Sequence, residues 1–164
     1  MPSSDSDEDP ASTNPMPIAG RVAVVGVCAS GKSVLVKELR TLGYDARHVA
    51  QEHSFVPDMW QRLSRPQVLV YLDASLATMR RRRDPSFPAA LLEEQRRRLQ
   101  HARHHCQIYV CTDPLTEDQV LAQVVAALKR SGLVPSAKVE SPGAKTASTE
   151  NSSEVQGGKG RKKC

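Results

Sequence analysis

Eight residues, Gly26 to Ser33, read G-V-C-A-S-G-K-S and fill every specified place of the pattern G-x-x-x-x-G-K-[S/T]. The chemistry open to such a stretch is the holding of a polyphosphate. Gly26 and Gly31 permit backbone angles and close approaches that a β-carbon forbids, so successive N–H groups can converge on phosphate oxygens at a helix start. Lys32 would bridge β- and γ-phosphates as a point charge, and Ser33 would set its hydroxyl on Mg²⁺. Val27, Cys28, Ala29 and Ser30 fill the variable places and Val34 follows them, so the expected ATP-binding stretch runs from Gly26 to Val34. Cys28 reads as a small residue in a variable slot.

A motif of this kind has meaning only between a buried strand and an amphipathic helix, and both flanks are present. Arg21 to Val25 (R-V-A-V-V) is a short β-branched run, suited to a strand covered on both faces. Leu35, Val36, Leu39 and Leu42 then recur at helical spacing with Lys37, Glu38 and Arg40 opposite them. Gly43 supplies a left-handed stop.

The rest of the chain supplies further strands, helices and charge. Ala46 to Ala50 is a weak second strand, followed by the polar residues Gln51, Glu52, His53 and Ser54 where a ligand crevice is expected. Pro57 can open a helix reaching Arg62, with Phe55, Met59, Trp60 and Leu63 as its apolar side and Trp60 as a partly buried anchor. Val68 to Leu72 is the strongest strand signal and ends at Asp73. Ser75 can cap a helix through Arg83, and a Pro-interrupted break leads to another from Ala89 to about His104. Glu93 with Arg97 and Glu94 with Arg98 are i,i+4 pairs, which leaves a surplus of arginine: Arg80 to Arg83, Arg96 to Arg98 and Arg103 flank the break. That is a place for a phosphate-binding lid, in which Arg80 and Arg83 would neutralise developing charge. Gln107 to Cys111 is the last strand. Thr116 and Gln119 form a capping box with Leu115 stapled on Val120, and the final helix presents Val120, Leu121, Val124, Val125 and Leu128 on one face.

Composition bounds these readings. The formal charge of +5 divides into −4 over residues 1–17, +6 over 18–134 and +3 over 135–164. Residues 1–17 and 135–164 have little to bury and are expected to be a disordered acidic tail and a disordered basic tail around one nucleotide-binding domain, 18–134. The basic middle suits an anionic ligand. Cys28, Cys106, Cys111 and Cys164 make no C-x-x-C pair and no metal-like spacing with histidine, and His101, His104 and His105 read as surface residues. A reducing cytoplasm is the expected home. No stretch approaches the length of a membrane span, and the acidic start does not suit a signal peptide.

The order of elements, with the phosphate loop near the start and an arginine-rich break late, resembles the small P-loop kinases, the group that includes shikimate, adenylate and dephospho-coenzyme A kinases. Tyr71 to Arg83 looks like their pre-lid strand and helix, and Tyr109 to Leu128 like their last strand and helix. Only the loop is a specific motif. The resemblance implies an α/β, three-layer P-loop NTPase fold with a short, mostly parallel sheet of about four strands and helices on both faces. It also implies ATP and Mg²⁺ as cofactors and a small-molecule phosphoryl acceptor held by Gln51 to Trp60. In those kinases a further strand beside the loop carries an acidic metal ligand. Here Gln51 to Gln67 leaves no room for one, so Asp73 is expected to be structural, as a cap of the next helix, and Glu52 becomes the metal ligand or general base.

The function expected is Mg²⁺-dependent phosphoryl transfer from ATP to a small metabolite. The alternative is a nucleotide-binding regulatory or adaptor protein without efficient transfer, which the missing acidic strand favours. The absence of an [N/T]-K-x-D stretch argues against a GTPase, and scarce aromatics argue against nucleic acid as a partner.

Overall fold

A computed structural model describes residues 15–136. The acidic tail, except residues 15–17, and the basic tail beyond Ser136 lie outside the described residues. Four strands form one all-parallel sheet: β1 (Ile18–Gly26), β2 (Asp45–His48), β3 (Pro66–Asp73) and β4 (Ile108–Cys111), in the order β2-β1-β3-β4. Six helices connect and cover them: α1 (Lys32–Thr41), α2 (Met59–Ser64), α3 (Leu76–Arg82), α4 (Ala89–Arg98), α5 (Gln100–His105) and α6 (Glu117–Arg130). A single 3-10 turn, Gln51–His53, follows β2.

Alternation along the two central strands divides the core into two layers. Val22, Val24, Val68, Val70 and Leu72 pack under α1 and α6, against Leu35, Val36, Leu39, Val120, Val124 and Leu128. Ala23, Val25, Leu69 and Tyr71 face the opposite way, into Trp60, Met79, Leu92, Leu99 and Ala102 from α2 to α5. The result is the three-layer α/β arrangement expected, with central strands buried on both faces because parallel crossovers place helices there. β1 is flanked by β2 on one side and β3 on the other, so the chain leaves the sheet centre in opposite directions from these strands. Their carboxyl ends open the crevice where such sheets bind ligands, and β1 runs straight into Gly26.

Some boundaries differ from the sequence expectation. β2 is Asp45–His48 rather than Ala46 to Ala50, because Asp45 takes ion pairs from Arg21 at 2.7 Å and Arg47 at 2.9 Å while only Ala46 is buried. Leu42 lies beyond the last turn of α1 and is exposed, and Gly43 (φ 91) makes the stop. Phe55 and Leu63 do not join the apolar side of α2. They are 79% and 70% exposed, and the short helix docks through Trp60. The long helix expected to His104 bends at Leu99 into α4 and α5. Glu94 pairs with both Arg97 and Arg98, so Arg97 does not reach Glu93. The capping box at Thr116 and Gln119 forms in full.

Candidate functional site

Gly26 ends β1 in register with Leu72 of β3, and the approach is so close that a Cβ built on it would lie 2.1 Å from the Leu72 carbonyl oxygen. The chain then turns through Val27 to Ser30, with Ala29 at φ 56, and Gly31 at φ 91 begins α1. No side chain caps that helix, and its first turn holds no acidic residue. The first-turn N–H groups therefore keep their hydrogen-bonding capacity, and no carboxylate of the helix itself offsets the positive end of its dipole.

Lys32 folds back over the loop. Its Nζ donates to Gly26 O at 2.8 Å and Val27 O at 2.8 Å, and forms an ion pair with Glu52 Oε1 at 2.7 Å. Lys32 is 7% exposed and Glu52 3%, so both partners have given up most of their water. The parallel pairing of β2 with β1 is what brings them together, since the 3-10 turn after β2 carries Glu52 to the end of β1. Glu52 Oε2 is buried and has no hydrogen-bond partner. Ser33 is exposed and shares with Gly31, Lys32, Val34, Glu52 and Arg83 a cleft of about 390 Å³. His48 opens on the same cleft; burial, then the charge of Lys32, holds its imidazole below the usual histidine range.

The arginines separate. Arg83 lines the cleft. Arg80 stands apart from it, with Nε donating to Phe87 O at 3.1 Å across the Pro-containing break. Arg82, which sequence reasoning did not single out, donates to Ala29 O at 3.3 Å and to Thr112 through Oγ1 at 3.1 Å and O at 3.0 Å. It stands at a second cavity of about 270 Å³, lined by Val34 and Leu35 of α1 and by Thr112, Leu115 and Leu121. Arg96 reaches Asp73 at 3.4 Å.

Asp73 has a structural role, but not as a helix cap. Its Oδ1 accepts from Ala74 N at 2.9 Å and its Oδ2 from Tyr109 Oη at 2.9 Å, tying β3 to β4, while Ser75 caps α3. Burial and the bond to Asp73 push the Tyr109 phenol up to about 12.

This chain matches no protein-family model and no curated protein. Its chemistry has to be read from the cleft.

Cys28 proves to be more than a small filler. Its N–H donates to Gln95 Oε1 at 2.9 Å, which fixes the amide orientation, so Gln95 Nε2 must be the group 3.1 Å from Cys28 Sγ. Gln95 is buried and clamps the loop from α4. The available signal was a polar residue on the apolar stripe Leu92, Gln95, Leu99, Ala102. On the acceptor side expected from Gln51 to Trp60, both named ends turn inward: Gln51 bonds Val56 O and Trp60 N, and Trp60 Nε1 donates to His101 Nδ1 at 3.1 Å.

Proposed function

We propose that the chain binds ATP with Mg²⁺ at the loop Gly26 to Ser33 and transfers a phosphoryl group to a small metabolite. The observation that carries this reading is the meeting, in one cleft at the switch point of a parallel sheet, of an uncapped helix start, Lys32, Ser33, Glu52 and Arg83. The residues fit the cofactors: the free first-turn amides and the orphaned Glu52 Oε2 are features that a polyphosphate and its cation would satisfy. Ser33 and Glu52 would hold the metal, which when bound supplies charge neutralisation to the phosphates. Lys32 would exchange its bonds to Gly26 O and Val27 O for phosphate oxygens. In place of holding the metal, Glu52 would alternatively accept the proton of the acceptor hydroxyl, and Arg83 would face the transferred group. The slot beside Arg82, Thr112 and Leu121 suits the flat, largely apolar face of a base.

A second reading is nucleotide binding without efficient transfer. It is favoured by the mutual neutralisation of Lys32 and Glu52 and by the loop amide of Cys28, which is already committed to Gln95. Isothermal titration with ATP and a non-hydrolysable analogue, with and without Mg²⁺, tests the loop. Incubation with labelled ATP and pooled metabolites then separates the readings, since only the first yields a phosphorylated product. Glu52→Gln should abolish turnover and leave nucleotide binding, and unchanged turnover would remove Glu52 from the mechanism.

A further inference from the structure

Two side chains at the mouth of the loop, Cys28 and His53, have a chemistry that phosphate binding does not use, and they meet the carboxylate of Glu52. Cys28 Sγ, His53 Nε2 and the Glu52 carboxylate lie within 4.8 Å of one another, with sulfur to imidazole at 4.0 Å and imidazole to Glu52 Oε1 at 3.9 Å. The sequence did not suggest this cluster, because a thiol in the loop and an imidazole in the turn after β2 show no ligand spacing.

We propose that Cys28, Glu52 and His53 form a binding site for Zn²⁺, with the fourth coordination position open to the cleft. The donor set is the first argument. A thiolate, an imidazole and a carboxylate suit zinc, whereas Mg²⁺ takes oxygen ligands. Charge and satisfaction are the second. The Glu52 carboxylate takes one ion pair from Lys32, through Oε1, and its Oε2 is buried without a partner, so the group keeps capacity for a cation. The support of the sulfur is the third. Because the Cys28 N–H fixes the Gln95 carbonyl, Gln95 Nε2 offers its hydrogen to sulfur, so the thiol is held as an acceptor in the manner of outer groups that orient metal ligands.

The two spacings to His53 need little change. Zinc bonds of about 2.3 Å to sulfur and 2.0–2.1 Å to nitrogen or oxygen place tetrahedral ligands about 3.4–3.6 Å apart. The spacings of 4.0 and 3.9 Å must therefore shrink by about half an ångström. The side chain of His53 is 64% exposed and free to make that movement, and the sulfur and carboxylate, which lie within 4.8 Å of one another, must draw together as well. Zinc binding releases the thiol proton to solvent. The site shares Glu52 with the proposed nucleotide site, and the test is run without nucleotide so that the two can fail separately.

The experiment uses the full chain, stripped with a chelator. Zn²⁺ is titrated in competition with a chromophoric chelator, and Co²⁺ is used as the optical probe. One equivalent of zinc should bind, with a thiolate-to-cobalt charge-transfer absorption. Cys28→Ser should abolish that absorption, and Cys28→Ser and His53→Ala should each lower zinc affinity by about 100-fold or more, at least the loss produced by removing an outer-sphere partner. His104→Ala/His105→Ala should bind like the parent. The proposal is overturned if no zinc binds, if Cys28→Ser and His53→Ala bind as the parent does, or if equimolar Mg²⁺ displaces the ion. Zinc binding without ATP binding would remove the nucleotide reading alone, and the reverse would remove this site alone.

Discussion

Gly26 is the position at which one added carbon should be least tolerable. In Gly26→Ala the new Cβ would lie 2.1 Å from Leu72 O, 3.0 Å from the Leu72 carbonyl carbon and 3.0 Å from Ser30 Oγ. The Ser30 hydroxyl can rotate, but Leu72 O belongs to the backbone of a strand buried on both faces and paired with Gly26 in register. Reaching ordinary contact requires a displacement of more than about 1 Å between the two central strands, a severe case of overpacking that should cost about 3 kcal/mol or more. Gly31→Ala is the control. Nothing lies within 4 Å of its added Cβ, so the substitution meets only the left-handed backbone at φ 91 and should cost about 1–2 kcal/mol. Urea unfolding of parent and both variants, with equal slopes, measures the two costs directly. A Gly26→Ala cost below about 1 kcal/mol, or a Gly31→Ala cost that equals or exceeds it, would refute the packing argument.

Three further outcomes are expected. Lys32→Met and Glu52→Gln should each destabilise the chain, with the double variant losing less than the sum and a coupling of about 1 kcal/mol or more in a denaturation cycle; additive losses would mean the buried pair contributes nothing specific. Thr116→Ala removes one half of the capping box of α6 and should cost about 1 kcal/mol in thermal or chemical unfolding, against almost none for the exposed Thr41→Ala. Burial, then the neighbouring His105, holds His101 below its ordinary 6.5, so the unfolded chain takes up the proton first and this contribution to stability, present above 6.5, is lost as pH falls through the folded value. The fluorescence of Trp60, the only tryptophan, should report the loss of its bond to His101 with a midpoint below 6.5, and a step that persists in His101→Leu would contradict that source.

What could be read in advance followed from local pattern. β1 and β3 are apolar runs because both faces are covered, and α6 carries its own start signal at Thr116 and Gln119, so these elements needed no tertiary information. β2 did, because D-A-R-H has one buried residue and owes its place to pairing with β1 and to the Arg21–Asp45 contact. Phe55 and Leu63 show the opposite failure: their spacing is apolar, but Phe55 lies before α2 begins and Leu63 faces solvent while Trp60 docks the helix. Within the site, the loop was legible as a motif, and Glu52 was legible once β2 was set beside β1. Gln95 and Arg82 were not, since their roles come from meeting the loop across 67 and 53 residues of chain. The same holds for the Cys28–His53 approach.

Lys32 and Glu52 cancel one another's charge at any distance much greater than the 2.7 Å between them. The far field seen by an anion drifting toward the cleft is therefore set by the exposed Arg82 and Arg83 and by the start of α1, not by the lysine. On the proposed reading, capture and grip fall to different residues. Added salt should slow arrival by screening the arginines, while departure, governed by the desolvated lysine inside, should be much less sensitive to it.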